Sequence, residues 1–510
     1  MTGRVYLVGA GPGDPGLLTL RGQRCLAAAD VVVHDALVHP RLLEHVQAGA
    51  EVITVGKPHG EGARLSQEEV ETLLIAHARA GRTVVRLKNG DPMLFGRGGE
   101  EAQVLRRAGV PFEVVPGVTA ALAVPAYAGI PATHRDHASL ITIVTGHQKA
   151  DGNPPALPWE ALARQGGTLV FLMGMSHLAA ITGALVAHGL DPATPAAAIV
   201  HGTTGRQATV VGTVATLPRR VRDAQLAPPG VVVIGHVVGL RDAVGWFEAR
   251  PLFGRRVVVT RPRTQAGELA RCLEDAGAEV VLFPTIAIGP PTNPAALERA
   301  VDTAGSHDWL VFTSVNGVRT FFEVMDRLGR DLRELAGVQI AAIGPETAAE
   351  LGRRMLRPAV VPEEFRAEGL LAALGETAIR GKRILLPRAA GARDILPATL
   401  AARGAVVEEV QAYRAVVPDD LDVESMRAAL REGSIDALTF TSSSTVANFL
   451  RLVGPEVIEA IVRTGRPVIA CIGPVTAETA RQAGLAVAVC PPDYTVPALA
   501  RALIEHLHRG

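Results

Sequence analysis

Short apolar runs alternate with amphipathic stretches along the whole chain. The runs are rich in β-branched residues, as in VYLVGA from Val5, TVVRLK from Thr83, TLVFLMG from Thr168 and GVVVIGHVV from Gly230. Strands that are apolar at successive positions are typical of sheets covered by helices on both faces. The pattern therefore predicts an α/β fold with largely parallel sheets.

The chain repeats itself beyond Gly254. The paired segments are GRRVVVTRP and GKRILLPRA, DWLVFTSVNGV and DALTFTSSSTV, and IAAIGPETA and IACIGPVTA, separated by 127, 128 and 129 residues. Such constant spacing indicates an internal duplication. Two similar α/β lobes are therefore predicted in this half.

Composition limits the class of protein. A length of 510 residues with 48% hydrophobic and 20% charged residues predicts a soluble protein of three or four domains. The net charge is zero and no apolar run approaches the roughly 20 residues of a membrane helix, so neither nucleic acid nor a membrane is expected as a partner. Four scattered cysteines and a strand-like start at Arg4, without a signal segment, predict a cytoplasmic protein.

A glycine-bearing turn follows the first apolar run, in VYLVGAGPGDPGLLTLRG from Val5 to Gly22. One interpretation is a dinucleotide fingerprint, with Asp35 as the acid that binds the ribose. Against it, Pro12 removes a backbone donor, and Asp14 would repel a pyrophosphate. The turn therefore favours a neutral or cationic ligand.

A second turn of this kind lies in VVRLKNGDPMLFGRGGEEAQVL, from Val84 to Leu105. Together the two motifs resemble the signatures of the tetrapyrrole methylases, in particular uroporphyrinogen-III C-methyltransferase. PGVTA, AGIPATHRD, FLMG, IVHGT and PPGVVVIG follow in the order of the family pattern, whereas Asn89 and Met93 depart from its usual glycine and aromatic residue. The resemblance implies a two-lobed methylase fold over residues 1–248, with lobes of about 1–116 and 117–248.

The resemblance also implies a methyl donor, S-adenosyl-L-methionine, with S-adenosyl-L-homocysteine as product, and a homodimer formed through this half. The residues implied to bind the donor are Pro12, Asn89, Gly90, Asp91, Leu94, Thr119, Ala120, Met173, Gly202 and Gly230.

Two further residues are candidates for handling protons. Methylating a pyrrole carbon requires an N–H proton to be lost afterwards, and the resemblance implies Asp35 as acceptor and Lys57 as donor. A helix cap and a solvated loop charge are the respective alternatives. No metal is expected, because the histidines near residues 134–147 and at 201 fit no zinc spacing.

The duplicated half resembles uroporphyrinogen-III synthase over residues 254–510. The resemblance implies two flavodoxin-like lobes, one of about 254–288 plus 418–510 and the other of about 289–417. Tyr413 is the candidate for assisting the departure of a hydroxyl group, with a half-buried structural tyrosine as the alternative. Hydroxyl and guanidinium groups at strand ends are candidates for binding substrate carboxylates, with helix capping and solvated charge as alternatives: Arg261, Ser314, Thr347, Arg388, Ser442 and Thr476.

The sequence thus predicts a bifunctional enzyme of tetrapyrrole biosynthesis. Its rear half would close hydroxymethylbilane to uroporphyrinogen III, and its front half would methylate that product twice to precorrin-2, on the way to sirohaem or cobalamin. An NAD(P)-dependent oxidoreductase joined to a two-lobed ligand-binding module is the alternative. A rear half that only binds its ligand is a third possibility.

Overall fold

The computed structural model describes residues 3–47, 49–56, 65–146, 157–375, 379–392, 394–418 and 421–509. The chain folds into two compact units. One unit comprises Met1–Val257, Arg271–Val280 and Ala500–Gly510, and the other comprises Val258–Ala270 and Val281–Leu499. Four sheets of five strands each are formed by the described residues.

The first sheet has the strand order β3-β2-β4-β1-β5, and its four pairings are all parallel. Its strands are β1 (Arg4–Gly9), β2 (Val31–Asp35), β3 (Glu51–Val55), β4 (Thr83–Lys88) and β5 (Phe112–Val115), and its helices are α1 (Leu20–Ala27), α2 (Gln67–Arg79) and α3 (Gly98–Arg107). Apolar clusters cover both faces of the sheet, as continuous apolar strands predict. The carboxyl ends of its strands therefore meet at one edge.

The second sheet, in the order β6-β7-β10-β8-β9, is mixed. Its strands are β6 (Ile141–Thr145), β7 (Thr168–Leu172), β8 (Pro195–Val200), β9 (Ala208–Thr213) and β10 (Gly230–Ile234), and the helices in this part are α4 (Ala120–Tyr127), α5 (Trp159–Arg164), α6 (Leu178–Ala187), α7 (Leu217–Asp223) and α8 (Arg241–Val244). β10 is antiparallel to both of its neighbours, and β9 is antiparallel to β8. This sheet is less parallel than the apolar pattern predicts, and the short β8–β9 connection accounts for the antiparallel pairing of those two strands.

The third sheet has the order β12-β11-β18-β19-β20, and the fourth has the order β13-β17-β16-β14-β15. Their strands are β11 (Arg256–Val259), β12 (Glu279–Leu282), β13 (Ala287–Gly289), β14 (Trp309–Phe312), β15 (Gln339–Ala342), β16 (Arg383–Ala389), β17 (Val406–Val416), β18 (Ala437–Phe440), β19 (Val468–Cys471) and β20 (Val487–Val489).

The helices of this part belong to the two repeats. They are α9 (Arg263–Asp275), α10 (Pro294–Asp302), α11 (Val315–Arg327), α12 (Pro345–Gly352), α13 (Ala367–Leu374), α14 (Ile395–Ala402), α15 (Val423–Arg431), α16 (Ser443–Val453), α17 (Pro455–Thr464), α18 (Pro474–Gln482) and α19 (Val496–Arg509). Short 3₁₀ helices in the chain span Pro15–Leu17, Pro40–His45, Met175–His177, His236–Leu240, Ala304–Ser306 and Leu332–Leu335.

The third and fourth sheets share one spatial arrangement of strands. In the fourth sheet, β17, β16, β14 and β15 occupy the places of β12, β11, β18 and β19, and a bridge between Ala341 and Val360 stands in the place of β20. In lobe one, the lobe of the third sheet, the order is that of a doubly wound flavodoxin-like sheet. The equivalent strands of lobe two, the lobe of the fourth sheet, come in a different chain order, since β14 and β15 precede β16 and β17.

Candidate active sites

Three loops meet backbone to backbone at the carboxyl edge of the first sheet. They contain Gly9 at the end of β1, Gly90 after β4 and Gly117 after β5. A Cβ on Gly9 would lie 2.7 Å from the carbonyl oxygen of Gly90 and still closer to Gly117, and the Gly90 nitrogen donates to the Gly11 carbonyl at 2.8 Å. A side chain at Gly9 or Gly117 would push the loops apart, and Gly90 has a φ of 69°, which favours glycine. The glycines therefore let the three loops pack closely at this edge, and contact of their backbone with a ligand stays a prediction.

Asp91 holds this junction together. Its Oδ2 accepts from the Gly117 nitrogen at 2.9 Å and its Oδ1 accepts from the Met93 nitrogen at 2.8 Å. Both carboxylate oxygens thus have backbone partners on two loops. The geometry gives Asp91 a structural part in the predicted donor site, whereas direct contact with the donor stays a prediction.

Asp14 connects the first glycine turn to elements of the second sheet. Its carboxylate accepts from the Gly16 nitrogen at 2.7 Å and from the Tyr127 hydroxyl at 2.7 Å, while its own nitrogen donates to Thr203 Oγ1 at 3.0 Å. Burial, followed by the hydrogen bond to Asp14, raises the pKa of Tyr127, so the phenol remains a donor at neutral pH. The charge of Asp14 is therefore already engaged within the protein.

Backbone strain gathers at the strand ends of the second sheet. Met173, His201 and Thr203 have φ angles of 56°, 48° and 67°, in the left-handed region that non-glycine residues seldom occupy. Met173 is nonetheless 48% exposed, and a Cβ on Gly202, between the other two, would collide with the Val124 side chain. Strain of this kind is often kept where a ligand is bound. The predicted donor residues Met173 and Gly202 both lie in this region.

His201 and Thr203 were not predicted as site residues. Burial, and then the nearby Arg206, lowers the pKa of His201, so its imidazole is neutral at pH 7. A left-handed backbone leaves no periodic signal in a sequence, although histidine is among the residues enriched there.

The remaining donor candidates flank these loops. Leu94 and Ala120 pack against the apolar cluster around Val124, and Thr119 caps α4 by accepting from the Ala121 nitrogen at 3.2 Å. The others are Pro12, which is half-buried, Asn89, which is described next, and Gly230, whose Cβ would lie 2.8 Å from the Ile199 oxygen. Lys57 lies outside the described residues.

Asp35 ends β2 and is tied to the donor loop. Its Oδ2 accepts from the Asn89 nitrogen at 3.1 Å, and its Oδ1 accepts from Arg86 Nη2. The Asp35 side chain keeps 30% of its surface exposed, whereas that of Arg86 keeps only 5%. The Asp35 carboxylate is thus positioned by Arg86 and the Asn89 nitrogen, while part of its surface stays accessible to a substrate, as a proton acceptor requires.

A buried charge cluster lies behind Asp35. Glu101 Oε1 accepts from Lys88 Nζ at 2.8 Å, from Gln67 Nε2 at 3.1 Å and from Arg86 Nε at 3.4 Å. The Glu101 side chain is fully buried, and burial, together with Arg86, lowers the pKa of Lys88. Two cations and two anions, Arg86, Lys88, Glu101 and Asp35, therefore balance at this edge. Sequence reasoning missed three of them, although Arg86 and Lys88 share one face of β4 at a spacing of two.

In the second unit, four of the predicted residues lie where the strand order of a sheet reverses. Arg261 follows β11 and Ser442 follows β18, which are neighbours in the third sheet. In the fourth sheet, Arg388 near the end of β16 and Ser314 after β14 hold the equivalent places. Ligands of doubly wound sheets bind at this position. The topology thus brings each predicted pair to the site expected of such a sheet.

Tyr413 contacts Ser314, another of the predicted residues, directly. The Tyr413 hydroxyl donates to Ser314 Oγ at 3.0 Å, and the same oxygen accepts from the Gly317 nitrogen at 3.0 Å, which caps α11. The Tyr413 residue is only 9% exposed. The repeat places Ile286 at the equivalent position of lobe one, so the phenol distinguishes the two lobes.

The two predicted arginines have different surroundings. Arg388 is 3% exposed, and its Nη1 lies 3.2 Å from Glu409 Oε2. Arg261 is half-buried and, among the described residues, has no hydrogen bond or ion pair. Burial lowers the pKa of Arg261, while Glu346 and Glu268 act in the opposite direction. A desolvated guanidinium without a partner is suited to bind a carboxylate, and of the two arginines Arg261 has this property.

Thr347 and Thr476 lie in the first turns of α12 and α18. They are 4% and 5% exposed, and the N-cap residues of these helices are Gly344 and Gly473, which supply no side-chain cap. Among the described residues, no group of three or more His, Cys, Asp or Glu could hold a metal, and no helix is long and apolar enough to cross a bilayer.

Two family models match the chain. The model of the tetrapyrrole (corrin/porphyrin) methylases matches residues 4–218, and that of uroporphyrinogen-III synthase HemD matches residues 267–501. The two matches thus define a tetrapyrrole enzyme with two parts. The dinucleotide interpretation of the first glycine turn is not supported, because this segment is matched by the methylase model.

Relatives of the chain span both parts. The porphyrin biosynthesis protein HemD of Ruminiclostridium josui is 36% identical over 95% of this chain and 94% of its own length. The uroporphyrinogen-III C-methyltransferase of Bacillus subtilis (strain 168) is 40% identical over 71% of this chain and 74% of its own length. The chain therefore belongs to the family of porphyrin biosynthesis proteins in which a tetrapyrrole methylase is joined to a uroporphyrinogen-III synthase.

Among solved structures, the uroporphyrin-III C-methyl transferase from Thermus thermophilus, complexed with S-adenyl homocysteine, is 42% identical. It covers 47% of this chain and 100% of its own length, with a TM-score of 0.41.

Proposed function

We propose that the rear part of this enzyme closes hydroxymethylbilane to uroporphyrinogen III and that the front part methylates uroporphyrinogen III twice to precorrin-2. The observation that carries the methylase half is the junction of Gly9, Gly90 and Gly117, beside the strained residues of the second sheet. Family membership supports both halves. The domain bounds proposed are 1–248 and 254–510.

The position of the front junction supports binding of S-adenosyl-L-methionine there, because its loops lie at the carboxyl edge of a parallel sheet, where α/β sheets bind ligands. When bound, this donor supplies an electrophilic methyl carbon on a positively charged sulfur. The predicted donor residues around Gly90 and Gly202 would orient it. Asp35 accepts the proton that the pyrrole nitrogen loses once the carbon–carbon bond has formed, and Lys57 is proposed as the proton donor.

Ring closure needs a hydroxyl group to leave as water and a carbon–carbon bond to form between the two end rings, with inversion of the last ring. Tyr413 is positioned by Ser314, and its hydroxyl would donate a hydrogen bond to the departing oxygen. For this the Ser314 hydroxyl turns to donate to Tyr413, which frees the phenol proton. Arg261 and the starts of α12 and α18 would bind the acetate and propionate groups.

The decisive experiment supplies the intact chain with hydroxymethylbilane and S-adenosyl-L-methionine, and follows the product by absorbance and mass spectrometry. A macrocycle carrying two added methyl groups is expected. Uroporphyrinogen III that stays unmethylated would contradict the front half, and formation of the type I isomer alone would contradict the rear half. Binding of NAD(H) without binding of adenosylhomocysteine would favour the oxidoreductase alternative.

Replacing Tyr413 by phenylalanine is expected to slow ring closure by about tenfold, the effect of one hydrogen bond worth ~1.4 kcal/mol in the transition state. The rate of hydroxymethylbilane consumption measures it.

Ser314→Ala should slow closure as well, because it removes the partner of Tyr413. Asn293→Ala is the control for the loss of a helix cap, since Asn293 Oδ1 caps α10 by accepting from the Ala296 nitrogen at 3.1 Å, and Asn293 is not a predicted site residue. Equal rates in all three variants would assign Tyr413 to packing.

The enzyme is also proposed to be cytoplasmic, which its four free cysteines support, and to form a homodimer through the methylase part, as the family resemblance implies. Light scattering of the intact chain measures the dimer.

A further inference from the structure

One exposed aromatic residue stands at the same place in each lobe of the rear part. Phe365 in lobe two is 61% exposed, and Tyr494 in lobe one is 62% exposed. The two are 129 residues apart, the same separation as Gly344 and Gly473. The duplication has thus kept a large aromatic ring on the surface twice.

Each ring packs against the glycine that is the N-cap residue of the neighbouring helix. A Cβ on Gly344 would lie 3.4 Å from Cβ and Cγ of Phe365, and one on Gly473 would lie 3.1 Å from Cδ1 and 3.2 Å from Cγ of Tyr494. Because these glycines have no side chain, each ring packs directly against the backbone. Such a ring is held in place on one side and remains open to a ligand on the other, at a small cost in conformational entropy.

A hydrophobic staple is the structural alternative. Phe365 precedes Arg366, the N-cap of α13, and Tyr494 precedes Thr495, whose Oγ1 accepts from the Ala498 nitrogen at the start of α19. A residue at that position commonly packs on its own helix one turn further on. Rings used in this way would be covered, whereas both remain about three-fifths exposed. Stapling therefore does not explain their exposure.

Both rings lie at the carboxyl edge of their sheets. Gly344 follows β15 and Gly473 follows β19, so each ring stands beside the helix start that carries Thr347 or Thr476. A pyrrole ring bearing acetate and propionate groups presents a flat electron-rich face with anionic arms beside it. An aromatic surface next to a helix start matches both features.

We propose that Phe365 and Tyr494 are contact surfaces for two pyrrole rings of the linear tetrapyrrole substrate, one in each lobe. This inference rests on the proposed ring closure. Aromatic contacts of about 0.5–1.5 kcal/mol correspond to roughly 2- to 12-fold in affinity for each ring.

The test uses the intact chain with Phe365→Ala, Tyr494→Ala and the double variant, and measures KM for hydroxymethylbilane and the ratio of type III to type I product. We expect KM to rise about 2- to 12-fold in each single variant and further in the double variant, with more type I product, because substrate leaves before closure. Phe365→Tyr and Tyr494→Phe keep a ring and should keep the wild-type KM.

Val406→Ala is the matched control, because Val406 is 61% exposed at the opposite, amino end of β17. If the alanine variants keep the KM of a wild-type chain that forms the type III isomer, the inference is wrong. A wild-type chain that forms no type III isomer would refute the proposed closure itself.

Discussion

Replacing Asp35 by asparagine is expected to lower the rate of methyl transfer by at least about 100-fold, the lower end of what a positioned acid or base contributes. An amide cannot take up the pyrrole proton at neutral pH. It can still accept a hydrogen bond from the Asn89 nitrogen, so the donor loop should keep its position. Affinity for S-adenosylhomocysteine, measured by calorimetry, should therefore stay close to that of the wild type.

Asp30→Asn is the matched control for this variant. Asp30 lies at the amino end of the same strand pair, where its Oδ2 accepts from the Thr83 nitrogen at 2.7 Å. Like Asp35, Asp30 accepts a hydrogen bond from a backbone nitrogen, but it does so at the opposite, amino edge of the sheet. Methyl transfer should be unchanged in Asp30→Asn. Unchanged turnover in Asp35→Asn would remove this carboxylate from the mechanism.

The second large effect is expected on stability, from Glu101→Gln. This change leaves the buried cations Arg86 and Lys88 facing Asp35 alone. Removing one partner of a buried ion pair costs about 3–5 kcal/mol. For a unit of this size the loss corresponds to a Tm lower by roughly 6–20 °C. The transition that S-adenosylhomocysteine raises identifies the methylase part in a thermal scan.

The loss should shrink as the pH rises. Burial lowers the pKa of Lys88 in the folded chain, so between that value and the unfolded value of about 10.4 the unfolded state binds more protons. Stability therefore increases with pH in this window. Glu101 raises the pKa of Lys88, so this pKa falls further in Glu101→Gln, the variant gains more stability with pH than the wild type, and the gap between them should be smaller at pH 9.5 than at pH 7.

Glu100→Gln is the neighbouring control, because the Glu100 side chain is 56% exposed and pairs with an exposed arginine. Its Tm should match that of the wild type. If Glu101→Gln melts at the same temperature, the cluster does not stabilise the fold.

The sequence alone predicts those features that depend on local pattern. The apolar runs predict the strands, the repeat predicts that the rear lobes are alike, and the glycine turns indicate where loops approach each other closely. The contacts between distant side chains are beyond such reasoning. Ser314 and Tyr413 were each selected, but 99 residues separate them, and only the fold shows that one donates to the other.

The charge cluster was missed for a related reason. Arg86 and Lys88 lie within an otherwise apolar strand, and their partner Glu101 follows a glycine-rich turn that suggests a solvated helix start. Pairing of buried charges is decided by how α3 packs on the sheet, which residue spacing does not specify. Left-handed residues such as Thr203 are equally hidden, since their conformation is imposed by surrounding packing.

Two identical lobes would bind either end of a linear ligand equally well. This protein departs from that equality at a few places, with Ile286 opposite Tyr413 by the repeat, and an unpaired Arg261 opposite a paired Arg388. In the proposed ring closure, these differences would favour one orientation of the linear tetrapyrrole, whose two ends differ. A duplicated fold can thus acquire a preferred direction of binding through a few substitutions that differ between its two copies.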